Sequence, residues 1–241
     1  GKSRIAKDLA KIINEYTQGE KPFASLFCGS CSVESKVNAP MKLCNDKHEY
    51  LIAMWKGLQS GYELPDTITR EQYYDIKANQ DRDKCLTGFV GFGCSFGGKW
   101  WGGLAANKKG DNYCAIANTS VSKDLKGLMN VTFTCLDYKD VKIPDGAVIY
   151  ADPPYRGTTG YSTGKFDSDC FWDYMRKLSR THVVLISEES APEDFTCIWK
   201  KEYTRTLDVN KNNQPKKVEK LYIYNAGKIK QSIKAEEKTR I

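Results

Sequence analysis

Gly146-Ala147-Val148-Ile149-Tyr150-Ala151-Asp152-Pro153-Pro154-Tyr155 is the stretch on which the fold turns. Residues 147–151 form an apolar run with a glycine before it and a proline pair after it, and they read as a buried strand. The polar residues then fall at the strand's carboxyl end, where open α/β sheets gather their ligands. Two prolines fix the backbone and remove two N–H donors. Carbonyl acceptors are left beside the Asp152 carboxylate, and Tyr155 adds a flat aromatic face. Acceptors plus a stacking face suit a planar ring that carries an exocyclic amino group. The same four residues also make an ordinary strand-ending turn, and the tetrapeptide alone leaves both readings open.

A second stretch, KPFASLFCGSCSVES over residues 21–35, has the same α/β character. Residues 23–27 are a short apolar strand, Cys28-Gly29-Ser30-Cys31 a tight turn, and Ser32 a predicted helix start with Glu34 in the first turn. Strand, small-residue turn and helix start make a cradle for a nucleotide-like ligand. Residues 41–44 lead into Asn45-Asp46. Asp46 lies near the distance, about 20 residues past the turn, at which an acidic side chain takes ribose hydroxyls. It could equally cap a helix over residues 48–60. The Gly-x-Gly-x-x-Gly pattern is absent.

With the turn first and Asp-Pro-Pro-Tyr second, the motifs resemble the Dam-type (alpha-group) adenine-N6 DNA methyltransferases. Phe27-Cys28-Gly29-Ser30-Cys31 is similar to that family's Phe-x-Gly-x-Gly turn for S-adenosylmethionine, with Cys31 in place of the second glycine. Leu43-Cys44-Asn45-Asp46 resembles its strand ending in Asn-Asp. Asp152-Pro153-Pro154-Tyr155 matches its catalytic tetrapeptide without a change. Gly1-Lys2-Ser3-Arg4 resembles the tail of a Gly-Gly-Lys segment that lines the cofactor pocket. The similarity runs over nearly the whole chain, with residues 61–119 loosely matched.

The resemblance implies a Rossmann-like α/β methyltransferase sheet with a closing β-hairpin and an inserted DNA-recognition subdomain. Residues 1–58 and 130–241 would form the catalytic domain and 59–129 the target-recognition region. The implied reaction is methyl transfer from S-adenosylmethionine to adenine N6 in a specific DNA sequence, by base flipping and direct displacement. Asp152 and Pro153 would accept from the amino group and Tyr155 would stack on the base. Lys2, Phe27, Gly29, Ser30 and Asp46 are the implied cofactor residues. Asp137, ending a predicted strand over 131–136, would meet the cofactor adenine; a turn residue is its alternative. Two other functions stay open: methylation of an RNA amino group such as guanine N2, and a catalytically silent DNA-binding protein of the same fold.

The formal net charge of +7 over 241 residues favours an anionic partner modestly, and double-stranded DNA is the expected one. No apolar run approaches membrane-spanning length, and no charged-then-apolar leader precedes Lys21. A soluble cytoplasmic monomer, nucleoid-associated when on DNA, is expected. The chain begins at Gly1 rather than Met, as a truncated or tag-scarred chain would. Its nine cysteines are odd in number and scattered, which predicts reduced thiols. Cys28 and Cys31 have Cys-x-x-Cys spacing, but there is no second such pair, and His48 and His182 are far apart. No metal is expected.

Residues 2–17 read as an amphipathic helix with Ile5, Leu9, Ile12, Ile13 and Tyr16 on one face. Residues 169–179 read as a helix and 182–187 as a buried strand. Residues 196–207 and 218–225 read as a hairpin around a basic loop at 210–217. Residues 86–110 hold eight of the chain's 19 glycines, interleaved with Phe89, Phe92, Phe96, Trp100 and Trp101, and read as loop and hairpin. Lys99, Trp100, Trp101, Lys108 and Lys109 there are candidate DNA contacts, joining charge, aromatic wedges and close-approaching backbone. A loop whose aromatics patch the core is the alternative. The Gly-rich residues 156–165 are expected to close over the flipped base.

Overall fold

The computed structural model describes residues 2–107, 109–154, 166–204 and 216–224. Seven strands share one sheet: β1 (Phe23–Ser25), β2 (Lys42–Asn45), β3 (Val131–Thr134), β4 (Val148–Ala151), β5 (Val183–Glu188), β6 (Phe195–Thr204) and β7 (Lys216–Tyr224). Their order is β3-β2-β1-β4-β5-β7-β6. β1 to β5 run parallel, and β7 is antiparallel to β5 and β6. The winding reverses between β1 and β4, and such a switch point opens a crevice at the carboxyl ends of the strands.

Alternation along the strands assigns each face its helix. Val148 and Tyr150 of β4 join Phe23, Leu185, Leu221 and Ile223 against Leu9 and Ile13 of α1 (Ala6–Thr17). Ile149 and Ala151 join Ala24, Val184 and Ile186 against Phe171, Trp172 and Met175 of α6 (Ser168–Leu178). With both faces covered, β4 has no polar side to show, and its sequence is a continuous apolar run. The helix expected over residues 2–17 begins later, at Ala6.

Four helices lie between β2 and β3: α2 (Glu49–Gln59), α3 (Arg70–Ala78), α4 (Lys84–Gly93) and α5 (Tyr113–Leu125). Leu51, Ile52 and Trp55 of α2, Phe89 and Val90 of α4 and Cys114 of α5 form one core with Cys44 and Phe133 of the sheet. By register, Cys44 and Phe133 sit on the α1 face. The inserted region therefore shares its core with the sheet. Among the described residues, no helix is long and apolar enough to cross a membrane.

Two expectations are corrected. The helix predicted from Ser32 does not form: the chain makes one 3-10 turn, Glu34–Lys36, and Val37 is already extended. The end of α5 fills that space. Ser35 Oγ donates to Asp124 Oδ1 at 3.0 Å, and the Lys36 ammonium pairs with the same carboxylate at 2.8 Å. The Ser35 carbonyl lies so close to Gly127 that any side chain there would collide with it.

The first third of the stretch read as loop and hairpin, residues 86–93, lies in the helix α4. Residues 87–91 are all buried, so no polar face imposes a visible period. Its glycines are contact points: a Cβ on Gly88 would strike the Tyr50 carbonyl of α2, and one on Gly91 the Trp100 ring. Beyond α4 the hairpin reading holds. Ser95 bridges Leu104, Phe96 N donates to Gly103 O at 2.8 Å, and Ala105 N to Cys94 O at 2.9 Å. The closing hairpin is β6–β7; residues 210–215 of its basic loop lie outside the described residues.

Candidate active site

A cleft of about 1420 Å³ opens at the carboxyl ends of β1, β2 and β4. That exceeds the ~300–1,000 Å³ usual for one small ligand, and would admit a cofactor together with a base. The turn at residues 28–31 lines it. Gly29 has φ 47°, and a Cβ there would meet nothing within 4 Å, so a ligand can approach the backbone. The turn is braced from several sides. Gly29 N donates to Asp46 Oδ2 at 3.0 Å, Cys28 N to Asn45 O at 2.8 Å, and Trp55 Nε1 to Gly29 O at 3.1 Å.

Cys31 has φ 51°, the left-handed region that glycine enters without strain. This is the position at which the resembled turn carries glycine. The Cys31 side chain is fully buried beside Cys28 and Cys44. Burial pushes the Cys28 thiol up to about 12 and the Cys31 thiol well above its ordinary range, so both stay protonated and unreactive at neutral pH.

Asp46 serves as a brace while lining the cleft. Its Oδ2 accepts from Gly29 N, and its Oδ1 accepts from His48 N at 3.0 Å, just before α2. A carboxylate has about four lone-pair sites, which leaves acceptor capacity for a ligand hydroxyl. Burial raises its proton affinity. Asn45 stitches three strand ends: it donates to Leu26 O and Leu136 O and accepts from Thr134 Oγ1 and Leu136 N. Asp137 also lines the cleft, 3.3 Å from the Lys47 ammonium. Phe27 packs its ring against Tyr138 and Phe171 with one side on the cleft. Ser30 Oγ is 3.1 Å from Ser32 Oγ, also at the wall.

Asp152 follows β4 directly and lines the same cleft. Lys2 Nζ stands 3.0 Å from Asp152 Oδ1 and 2.8 Å from Glu219 Oε2 of β7. Lys2 is at the cleft wall, as expected of a cofactor residue, but its ammonium is engaged by two carboxylates. Burial raises the proton affinity of Asp152, and Lys2 opposes that rise. Pro153 is buried beside it, and Pro154 lines the cleft. Tyr155 and the expected closing loop at residues 156–165 lie outside the described residues, as does Lys108.

Two acidic groups at or beside the site were given no site role by the sequence, Glu34 being read only as a first-turn helix residue. Glu34 is fully buried on the cleft wall, accepts from Ser25 Oγ at 2.7 Å, and is pushed up to about 7 by burial. Glu219 left a readable signal: it shares a strand face with the buried Leu221 and Ile223, where a charged residue is out of place without a partner.

The inserted region lines part of the cleft, from Phe89 of α4 to Asp124 of α5, with Gly97 and Gly98, at φ 65° and 64°, among the lining residues. Trp100 stacks on Tyr50 at 5.5 Å and meets the His48 ring edge-on at 4.3 Å. Trp101 packs on Tyr73 and donates to Gln80 Oε1 at 3.2 Å. Both rings are half-buried and pack among the inserted helices. Lys99 and Lys109 are exposed, and Phe96 is 57% exposed.

A seven-stranded sheet in this order, with its reversed β7 and its cleft at the switch point, defines the Rossmann-like fold of the S-adenosylmethionine-dependent methyltransferases. Residues 1–85, about a third of the chain, match the model of the D12 class of N6 adenine-specific DNA methyltransferases. Among solved structures, the chain is similar to an rRNA methylase from Streptococcus thermophilus at 8% identity, covering 90% of this chain and 96% of that one with a TM-score of 0.41. It is also similar to the tRNA (m1A58) methyltransferase TrmI from Aquifex aeolicus at 12% identity, over 90% and 68% of the two chains, TM-score 0.39. A putative methyltransferase complexed with SAH matches at 11% identity over 92% and 52%, TM-score 0.38. The cleft suits a cationic nucleoside cofactor: backbone is accessible at Gly29, and Glu34, Asp46, Asp137 and Asp152 put carboxylates on its wall.

Proposed function

We propose that the protein methylates the N6 amino group of adenine in DNA, using S-adenosylmethionine. The observation that carries this reading is the convergence of the Gly29 turn with Asp152 and Pro154 on one cleft at the switch point of the sheet. The match of residues 1–85 to the D12 class supports it.

Adenine N6 is a weak nucleophile because its lone pair is delocalised into the ring. The Asp152 carboxylate and the Pro153 carbonyl would accept hydrogen bonds from the amino group, favour a pyramidal nitrogen and stabilise the positive charge that grows during attack. Tyr155 would stack on the base, which has to leave the duplex to reach the cleft. Asp46 would take ribose hydroxyls and Asp137 the cofactor adenine, while Gly29 lets the ligand lie against backbone. The bound cofactor supplies the electrophilic methyl group. Lys99 and Lys109, beyond the cleft-lining Gly97 and Gly98, would meet phosphates.

The test is incubation with random-sequence DNA and, separately, RNA, followed by mapping of modified bases. N6-methyladenine in DNA supports the reading. A methylated guanine in RNA replaces it with the RNA alternative, and DNA binding without a cofactor-induced thermal shift replaces it with a silent binder.

A further inference from the structure

The geometry points to Glu219 as a positioning residue that acts through Lys2: by sharing the Lys2 ammonium with Asp152, it keeps the Asp152 carboxylate oriented and strongly accepting. The inference rests on the proposed role of Asp152 and adds a residue of β7 to it. Lys2 bridges the two carboxylates, at 2.8 Å to Glu219 and 3.0 Å to Asp152. Glu219 is 1% exposed and Lys2 8%, so solvent does little to weaken the contact between them. Lys2 contacts Asp152 through Oδ1, and Asp152 lines the cleft wall. If Lys2 served Asp152 alone, its full charge would fall on that carboxylate and weaken it as an acceptor. Glu219 draws part of that charge away and also fixes where the ammonium stands. Glu34, Tyr150 and Glu188 face Asp152 as well. They supply a background that neither substitution below alters.

The arrangement makes opposite predictions for its two outer members. Glu219→Gln keeps the shape and an oxygen for Lys2 but removes the competing charge, so Asp152 should titrate at lower pH. Lys2→Met removes the ammonium and leaves two buried carboxylates in mutual repulsion, so Asp152 should titrate higher, by about one unit or more. The titration is read from the Asp152 side-chain carboxyl carbon by NMR on the full chain, assigned by its loss in Asp152→Asn. Methyl-transfer kinetics run in parallel. Glu219→Gln should lower kcat roughly tenfold, short of the ~10²–10³ loss when a group touching the reacting atoms is removed. Its KM for cofactor should stay unchanged, and the acidic limb of its pH profile should move down.

A purely structural Glu219 would lower the melting temperature and leave the Asp152 titration in place, which overturns the inference. Glu219→Gln, being isosteric, decides the question by itself if Lys2→Met fails to fold. Opposite titration shifts in a protein that transfers no methyl would uphold the charge relation while removing the proposed function.

Discussion

Cys31 bears a backbone strain that its neighbours hold in place. A non-glycine residue in the left-handed region costs about 1–2 kcal/mol, and here the buried thiol contacts offset part of it. Cys31→Gly should therefore leave stability within about 1 kcal/mol of the parent and preserve the thermal shift with S-adenosylmethionine. Cys31→Val, β-branched at the same φ, should abolish that shift. Asp152→Ala should eliminate methyl transfer while calorimetry still records cofactor binding, because its acceptor acts mainly in the transition state. Glu34 gives a prediction in pH. Its carboxyl moves from an ordinary 4.5 to about 7 on folding, so between those values the folded state holds the extra proton, and stability falls as pH rises through that window. Glu34→Gln removes the penalty. It should stabilise the protein above the window, by at most about 3 kcal/mol, and should not do so below it. A melting series across pH reads the difference.

At the scale of elements, the glycines divide by what surrounds them. Gly88 of α4 faces the Tyr50 carbonyl of α2 with no room for a methyl group, and backbone cannot swing aside as a side chain can. Gly88→Ala should cost about 3 kcal/mol in urea unfolding with an unchanged m value. Gly29→Ala meets no atom and should cost only the strain of its positive φ, about 1–2 kcal/mol. The same contrast marks what could be read from sequence. β4 was legible because burial on both faces leaves an uninterrupted apolar run, and the β6–β7 hairpin because its two strands flank a polar loop. Asp46 and Asp152 were legible because each follows a strand, where chemistry collects. α4 was not legible: its glycines pack helix against helix, and local sequence cannot separate that use from a turn. The helix expected at Ser32 failed for a non-local reason, since α5, about ninety residues further on, fills its place. The Lys2–Asp152–Glu219 cluster joins residues up to 217 positions apart, and no local pattern announces it.

For the molecule as a whole, a formal charge of +7 predicts association with polyanions that weakens with salt. Replacing Lys99 and Lys109 with Ala should weaken binding to all DNA sequences alike and reduce the log–log salt slope by about one unit per lost phosphate contact. An unchanged slope would move the DNA surface elsewhere, with the basic loop at 210–217 next in line. The absent helix between β1 and β2 has its effect at this scale too. Ser35 and Lys36, six and seven residues past Gly29, are anchored to Asp124 at the end of α5. The segment that would choose a target thus also braces the floor on which the methyl donor would rest. Such a protein cannot trade recognition segments as interchangeable cassettes. A graft of a foreign segment over residues 59–129 would have to bring its own counterpart of Asp124, or the newly specific chimera would lose its grip on the donor.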